Sequence, residues 1–391
     1  MSTNIRYLTA GESHGQALIV IIEGIPSQLP LKEEDINRDL KRRQIGYGRG
    51  ERMKIEKDKV CILSGVRWGK TLGSPISLLI SNLDWENWKE VMSIDEPKEK
   101  KSSFFTRPRP GHADLTGGIK YGFSDLRNVL ERASARETAA RVAAGAICKK
   151  LLSEFDVKIL SRVVQIGKEK DKSSFKDVFE KYDTIEKSPL RCLDPDVEKK
   201  MIALIDKAKK MGDTLGGVFE IIVTGIPPGI GDYIQWDLKL DARLSFALAS
   251  IQAIVGVEVG LGFEAAARFG SEVQDEIAYD EKKGFYRLTN RLGGIEGGMS
   301  TGEPIILRAA MKPISTLAKP LRSVDIETKR KVDAAKERSD VCAVPAASVV
   351  GEAVVAIEIA RAMREKFGGD SLEEMKKNYK LYKAYINERW R

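Results

Sequence analysis

Apolar residues recur along this chain at two periods, and each period marks a different kind of element. Alternation with β-branched residues over Ile5–Thr9 and Ala17–Glu23 predicts two strands of a hairpin, and Ile76–Ile80 reads as a further strand. Spacing by three and four predicts helices over Arg136–Phe155, Asp241–Val255 and Ala346–Phe367, the last closed by Gly368 as a C-cap. Ala140, Ala143, Ala144, Ile147 and Leu151 are small or apolar at that spacing, which predicts a buried helix packed closely on its neighbours. The charged stretches Asp95–Ser103 and Lys168–Ser188 break the pattern and read as loops or surface insertions. The tail from Ser371 to Arg391 reads as a charged surface helix or an oligomer contact.

Two pairs of segments look alike. Gly15–Pro26 matches Gly216–Pro227 without a gap, both ending in Gly-Ile-Pro. Glu131-Arg132-Ala133-Ser134, followed by Ala140 and Gly145, parallels Glu337-Arg338-Ser339-Asp340, followed by Ala346 and Gly351. Two matches in the same order point to an internal duplication, with repeats at roughly 5–155 and 215–367 and a tail at 368–391. No Pro/Ser-rich linker separates the halves, so residues 1–391 are expected to form one domain of two related α/β halves.

Composition narrows the class. A 391-residue chain with 42% hydrophobic residues can bury a large core as an ordinary globular protein. No uncharged apolar run approaches membrane-spanning length, and the strand-like opening segment argues against a leader, so a cytoplasmic protein is expected. Cys61, Cys148, Cys192 and Cys342 are scattered and lack metal-ligand spacing, as expected of reduced, mostly buried thiols. The net charge of +8 suggests anionic ligands or nucleic acid, although most of these charges interleave with acids as a solvated surface.

The candidate chemistry centres on two histidines, the only ones in the chain. His14 sits in Gly11-Glu12-Ser13-His14-Gly15, and His112 follows Arg107-Pro108-Arg109-Pro110-Gly111 and precedes Asp114. Imidazole is the side chain that exchanges a proton near neutrality, and Asp114 could orient or tune that of His112. Ser134-Ala135-Arg136-Glu137 reads as a capping box, hence as a plain helix start or an anion site reinforced by Arg132 and Arg136. Lys41–Arg52 interleaves arginines with glycines, a pattern suited to phosphate or carboxylate oxygens or to nucleic acid. No aromatic ladder accompanies it, which disfavours nucleic acid. A second glycine-rich loop spans Gly293–Gly302, and Lys312–Thr316 adds a cation and two hydroxyls. Gly65–Thr71 is one residue short of a phosphate loop and leads into a strand, while Gly260-Leu-Gly262 lacks the downstream acid of a dinucleotide site. A metal-dependent phosphatase finds no paired ligand spacing.

Five motifs in order, Ala10–Gly15, Gly46–Gly50, Arg107–Asp114, Ala133–Thr138 and Arg338–Asp340, closely resemble chorismate synthase from about Arg6 to Phe367. The resemblance implies an α+β sandwich of two intertwined pseudo-repeats, antiparallel sheets flanking a helical core, usually assembled as a homotetramer. It implies an anti-1,4-elimination converting 5-enolpyruvylshikimate-3-phosphate to chorismate and phosphate, with reduced FMN required although the reaction is redox-neutral. By the same resemblance His14 would protonate the departing phosphate, His112 the reduced flavin, and Asp340 would act in removing the C6 proton. Arg43, Arg49, Arg52, Arg109, Arg136 and Arg338 would hold substrate anions. FMN would touch Arg132, Ala133, Ser134, Gln252, Ala253, Gly297, Lys312, Pro313, Ile314, Ser315, Thr316 and Arg338. NADPH as reductant would fall on Arg43 and Arg49; otherwise a separate flavin reductase would serve. Neither nucleic acid, membrane nor metal is implied.

Overall fold

The computed structural model describes residues 4–50, 57–95, 104–337 and 339–390. The first hairpin forms as its alternation predicts, with β1 (Arg6–Ala10) antiparallel to β2 (Ala17–Glu23) and Tyr7 opposite Ile22. β3 (Val60–Ile62) and β4 (Ile76–Ser81) complete a four-stranded antiparallel sheet in the order β1-β2-β4-β3. Period two sends Leu18, Val20 and Ile22 inward and leaves Ile19 and Ile21 exposed.

A second antiparallel sheet contains β5 (Lys158–Ile166), β6 (Glu169–Lys170), β7 (Gly217–Thr224), β8 (Ile254–Val259) and β9 (Ile305–Met311). Its order is β8-β9-β7-β5-β6. Leaving out the two-residue β6, the two orders correspond: β1-β2-β4-β3 and β5-β7-β9-β8. The gapless match in sequence falls on β2 and β7. Gly24 and Gly225, just past them, share φ values of 85° and 83°, and a Cβ on either would lie 2.6 or 2.3 Å from a backbone oxygen. Only glycine fits both the angle and the space.

The helix Thr138–Ser153 packs on β2, the helix Val344–Phe367 packs on β5 and β7, and the two helices pack on each other. The chain is a mixed α+β fold whose core lies between the sheets. Small residues allow the helices their close approach: a Cβ on Gly145 would sit 2.4 Å from Ala353 Cβ and 2.6 Å from Ala353 O. Gly145→Val must therefore part the two helices, with an expected loss on the order of 3 kcal/mol. A urea unfolding midpoint within error of the parent would contradict this packing.

Two elements differ from their sequence patterns. The Asp241–Val255 helix spans Leu240–Ala249; Ala253 adopts φ 67°, and the β-branched run from Ile254 joins the sheet as β8. Lys168–Ser188 is no loop but contains β6 and the short helices Phe175–Glu180 and Tyr182–Lys187, which bury Val178 and Ile185 against Leu193 and Ile222. Of the other charged stretch, residues 96–103 lie outside the described residues. The tail forms a helix, Leu372–Trp390.

One buried charge cluster ties the halves together. Glu352, fully buried on the second central helix, accepts from Arg42 Nη1 and Nη2 at 2.7 and 2.8 Å, Lys149 Nζ at 2.7 Å, Ser161 Oγ at 2.6 Å and Arg191 Nη2 at 3.2 Å. Glu186 pairs with Arg42 and Arg191, each at 2.7 Å, and Asp39 with Arg42 at 3.0 Å and Lys149 at 2.8 Å. Three cations thus meet three carboxylates. No helix among the described residues is long and apolar enough to cross a membrane.

Candidate active site

A cleft of about 750 Å³ opens beside the starts of the two central helices. Both histidines line it. The β1–β2 loop carries His14 inward, where Glu131 from the helix Arg127–Ala133 accepts from its backbone N at 2.8 Å and from Nδ1 at 2.9 Å. Trp88 stacks on the imidazole with centroids 3.7 Å apart and planes 26° apart. Burial pushes the Glu131 carboxyl up, but hydrogen bonds from His14 and the charge of Arg127 outweigh it and hold the group below its usual range.

His112 is built in the same way. Its Nδ1 lies 2.6 Å from Asp114 Oδ1, and Asp114 is fully buried at the start of the helix Asp114–Tyr121. Arg109 donates to Asp114 from its backbone N at 3.0 Å, from Nε at 2.8 Å and from Nη2 at 3.0 Å. Burial opposes ionisation of Asp114, yet Arg109 and then His112 hold its carboxyl well below the carboxylate range. The orienting part read for Asp114 in the sequence thus has a geometry behind it.

The Gly-Arg segment supplies the next wall. Arg43, on the helix Glu33–Gln44, is buried and donates to Thr138 Oγ1 and Ala135 O, each at 3.0 Å. Arg136 Nη1 holds Asp58 at 2.6 and 2.7 Å, and Arg43 Nη1 reaches the same carboxylate at 3.4 Å. Arg49 Nη1 pairs with Asp340 Oδ2 at 2.9 Å, while Gly50 N donates to Asp340 Oδ1 at 2.6 Å. Arg109 Nη1 donates to Thr316 Oγ1 at 2.9 Å, and Lys312 Nζ to Gly111 O at 2.7 Å.

The predicted capping box is not formed. Ser134 Oγ accepts from Arg136 N at 3.3 Å and donates to Ser13 Oγ at 3.1 Å, opening a one-turn 3₁₀ segment, Ala135–Glu137. Glu137 does not reach back; it accepts from Thr9 Oγ1, Arg141 Nε and Gln252 Nε2 at 2.9, 2.9 and 3.3 Å. Thr9 and Gln252 come from far away in sequence and, with Arg141 one turn on, outcompete the local contact.

The structure gathers His14, His112, Asp340, Arg43, Arg49, Arg109, Arg136, Ala133, Ser134, Gln252, Ala253, Lys312, Ile314, Ser315 and Thr316 on this cleft. It does not place Arg132, Gly297 or Pro313 on the lining: Arg132 donates to Thr9 O and Gly11 O, and Gly297 turns the hairpin between Ile295 and Ser300. Arg52 and Arg338 lie outside the described residues. The sequence reading missed Trp88, Asp58 and the contact of Glu131 with His14. Trp88 and Asp58 stand in segments without a motif, and each of the three acts on a partner distant in the chain. The thiols are not part of this chemistry: Cys148, Cys192 and Cys342 are buried, with Cys342 pushed up to about 11 by burial, while Cys61 is exposed.

The cleft also suits a flat heteroaromatic cofactor. Ala133, Ala135, Ala343, Ala346 and Ala347 line it with small apolar side chains beside Ile251 and Val350. The buried Gln252 Oε1 has no hydrogen-bond partner among the described residues, as expected of an acceptor waiting for a ring N–H.

The family model for chorismate synthase matches residues 5–363. The chain is 59% identical over 390 residues to the chorismate synthase of Aquifex aeolicus, covering 98% of each chain. It is 59% identical over 382 residues to that of Syntrophotalea carbinolica, again covering 98% of each. A crystal structure of chorismate synthase superposes with a TM-score of 0.80 at 48% identity, covering 98% of this chain and 99% of the other. The motifs of the cleft and these likenesses over nearly the full length agree: the chain belongs to the chorismate synthase family.

Proposed function

We propose that this cleft is where the chain carries out its family's reaction, the last shikimate-pathway step from 5-enolpyruvylshikimate-3-phosphate to chorismate and phosphate. One observation carries the assignment: two imidazoles with carboxylate partners, four arginines and Asp340 all face a single cavity. The substrate is a small polyanion with one phosphate and two carboxylates, and Arg43, Arg49, Arg109 and Arg136 are the cations that hold it. Arg52 and Arg338 join them in this reading.

His14 gives a proton to the departing phosphate as the C3–O bond breaks, and Asp340 serves loss of the C6 proton on the other side of the ring. Reduced FMN, when bound, supplies the transient electron that lets phosphate leave. Ala133, Ser134, Gln252, Ala253 and Lys312–Thr316 would hold it, and His112 would keep a proton at its edge. Arg132, Gly297 and Pro313 belong to this set by resemblance alone. The apolar walls of the cleft exclude water from the reacting atoms. Arg43 and Arg49 would also meet NADPH, if this chain reduces its own flavin.

The full reading is a cytoplasmic homotetramer, each chain a sandwich of two intertwined repeats with one site. The corresponding strand orders and the matched Gly-Ile-Pro segments support the repeats.

The decisive assay mixes the protein, photoreduced FMN and substrate without oxygen, then follows chorismate absorbance and phosphate release. Product there, and none with oxidised FMN, is the expected result. No product from folded, FMN-binding protein would overturn the assignment. Repeating the assay with FMN and NADPH alone separates a self-reducing enzyme from one served by a reductase. Light scattering on the same sample reads the tetramer.

A further inference from the structure

Glu131 reaches His14 across 117 positions of sequence, with a carboxylate only 1% exposed. It makes two kinds of contact to one residue: the backbone N of His14 donates to Oε2, and ring Nδ1 lies 2.9 Å from Oε1 and 3.1 Å from Oε2. Trp88 closes one face of the ring, and its own Nε1–H is tied to Asp84 Oδ2 at 3.0 Å. A carboxylate can only accept, so Nδ1 is the donor in this pair and the transferable proton belongs to Nε2.

The charges around this pair are specific. Arg127 Nη1 lies 3.3 Å from Glu131 Oε1, and Arg127 Nη2 lies 3.6 Å from Glu337. Asp84 stands behind Trp88. Arg132, on the same helix as Glu131, donates instead to Thr9 and Gly11. Glu131 is therefore a carboxylate in direct contact with the ring, and Arg127 is a cation that tempers it. In the sequence match Glu337 corresponds to Glu131, while Leu215 stands where His14 would be. Of the two corresponding glutamates, the one paired with an imidazole is Glu131.

We propose that Glu131 is a positioning residue for the reaction, holding His14 by Nδ1–H and setting a carboxylate charge beside the ring, so that Nε2 carries the proton for the leaving phosphate. The proposal rests on the acid role assigned to His14. In that step the Nε2–H bond breaks as a phosphate O–H bond forms, and the C3–O electron pair departs with phosphate. The neutral imidazole keeps Nδ1–H on Glu131 and regains its Nε2 proton from solvent before the next turnover.

Glu131→Gln tests this directly, because the amide keeps the shape and one acceptor oxygen and removes the charge. With two histidines in the chain, ¹⁵N-histidine protein loaded with oxidised FMN gives two imidazole signals, and His112→Gln assigns them. We expect the His14 midpoint in Glu131→Gln to fall by at least one pH unit. The alkaline limb of kcat should fall by the same amount, with KM within about twofold. Arg127→Gln, which leaves Glu131 in place, should move the midpoint upward and serves if the first variant misfolds. A midpoint and kcat limb unmoved in the folded variants would overturn the proposal. Full turnover in His14→Ala would instead overturn the acid role itself, whatever the titration of Glu131→Gln shows.

Discussion

His14→Ala and His112→Ala will each lose about 10²–10⁴-fold in turnover while still binding FMN, the range that positioned acid–base groups contribute. The two losses have different geometric origins. His14 is nearly buried between Trp88 and Glu131, so its removal takes the Nδ1 donor from a buried carboxylate, which keeps Arg127 and the backbone N of position 14. His112 is more open, with a side chain 19% exposed, and Asp114 keeps three bonds from Arg109 without it. His14→Ala should therefore cost stability as well as rate, on the order of 1–3 kcal/mol, whereas His112→Ala should cost mainly rate. Anaerobic turnover with photoreduced FMN, read beside urea unfolding, separates the two effects. Turnover within a few-fold of the parent would remove that histidine from the mechanism. Imidazole added to His14→Ala should restore part of the rate, since the deletion leaves ring-sized space against Trp88.

Glu352→Ala will destabilise the fold by about 3–5 kcal/mol, because it leaves Arg42, Lys149 and Arg191 facing one another with a carboxylate missing. That is a large part of the stability a domain has to lose. The cluster also predicts the acid limit of the protein. Burial raises the Glu352 carboxyl, but Arg42 and Lys149 hold it well below its normal value, and Arg42 and Arg191 hold Glu186 down to about 2. Both groups have folded-state values below their unfolded ones. Their contribution is therefore complete above about pH 4.5 and is lost as pH falls toward 2. Denaturant midpoints should drop steeply across that window in the parent and less so in Glu352→Gln. A loss under about 1 kcal/mol in Glu352→Ala would show that the neighbouring charges relax into solvent. The helix Glu33–Gln44 sends Arg42 into this cluster and Arg43 into the cleft, so the damage should reach substrate binding too.

What the sequence reveals, and what it hides, follows from the reach of each interaction. The hairpin β1–β2 is legible because period two is written in consecutive residues, and the histidines stand out because nothing else in the chain resembles them. Glu137 is misread because a capping box is a local rule, while its partners Thr9 and Gln252 come from other parts of the fold. Ala253 reads as helix by composition, and only its left-handed backbone shows the turn into β8. Glu352 is an acid amid an apolar helix pattern, where only the converging Arg42, Lys149 and Arg191 make its burial tolerable. Lys168–Ser188 looks solvated by charge count, yet Val178 and Ile185 are enough to seat two short helices.

The helix Val344–Phe367 also sets a timetable for synthesis. Its Arg361 Nε donates to Ile5 O at 2.9 Å and its Arg364 Nε to Gly24 O at 3.1 Å, while just beyond it Ser27 N donates to Asp370 O and Leu372 N to Ser27 O, each at 2.9 Å. The beginning of the chain is thus fastened by its end. Translation at about 5–20 residues per second leaves the first sheet waiting tens of seconds for that helix. Throughout that interval the helix Thr138–Ser153, seated on β2, lacks the second helix that packs against it, a binding surface for chaperones. A message cut short before Val344 yields a chain that cannot close, and its fate passes to the cell's proteases.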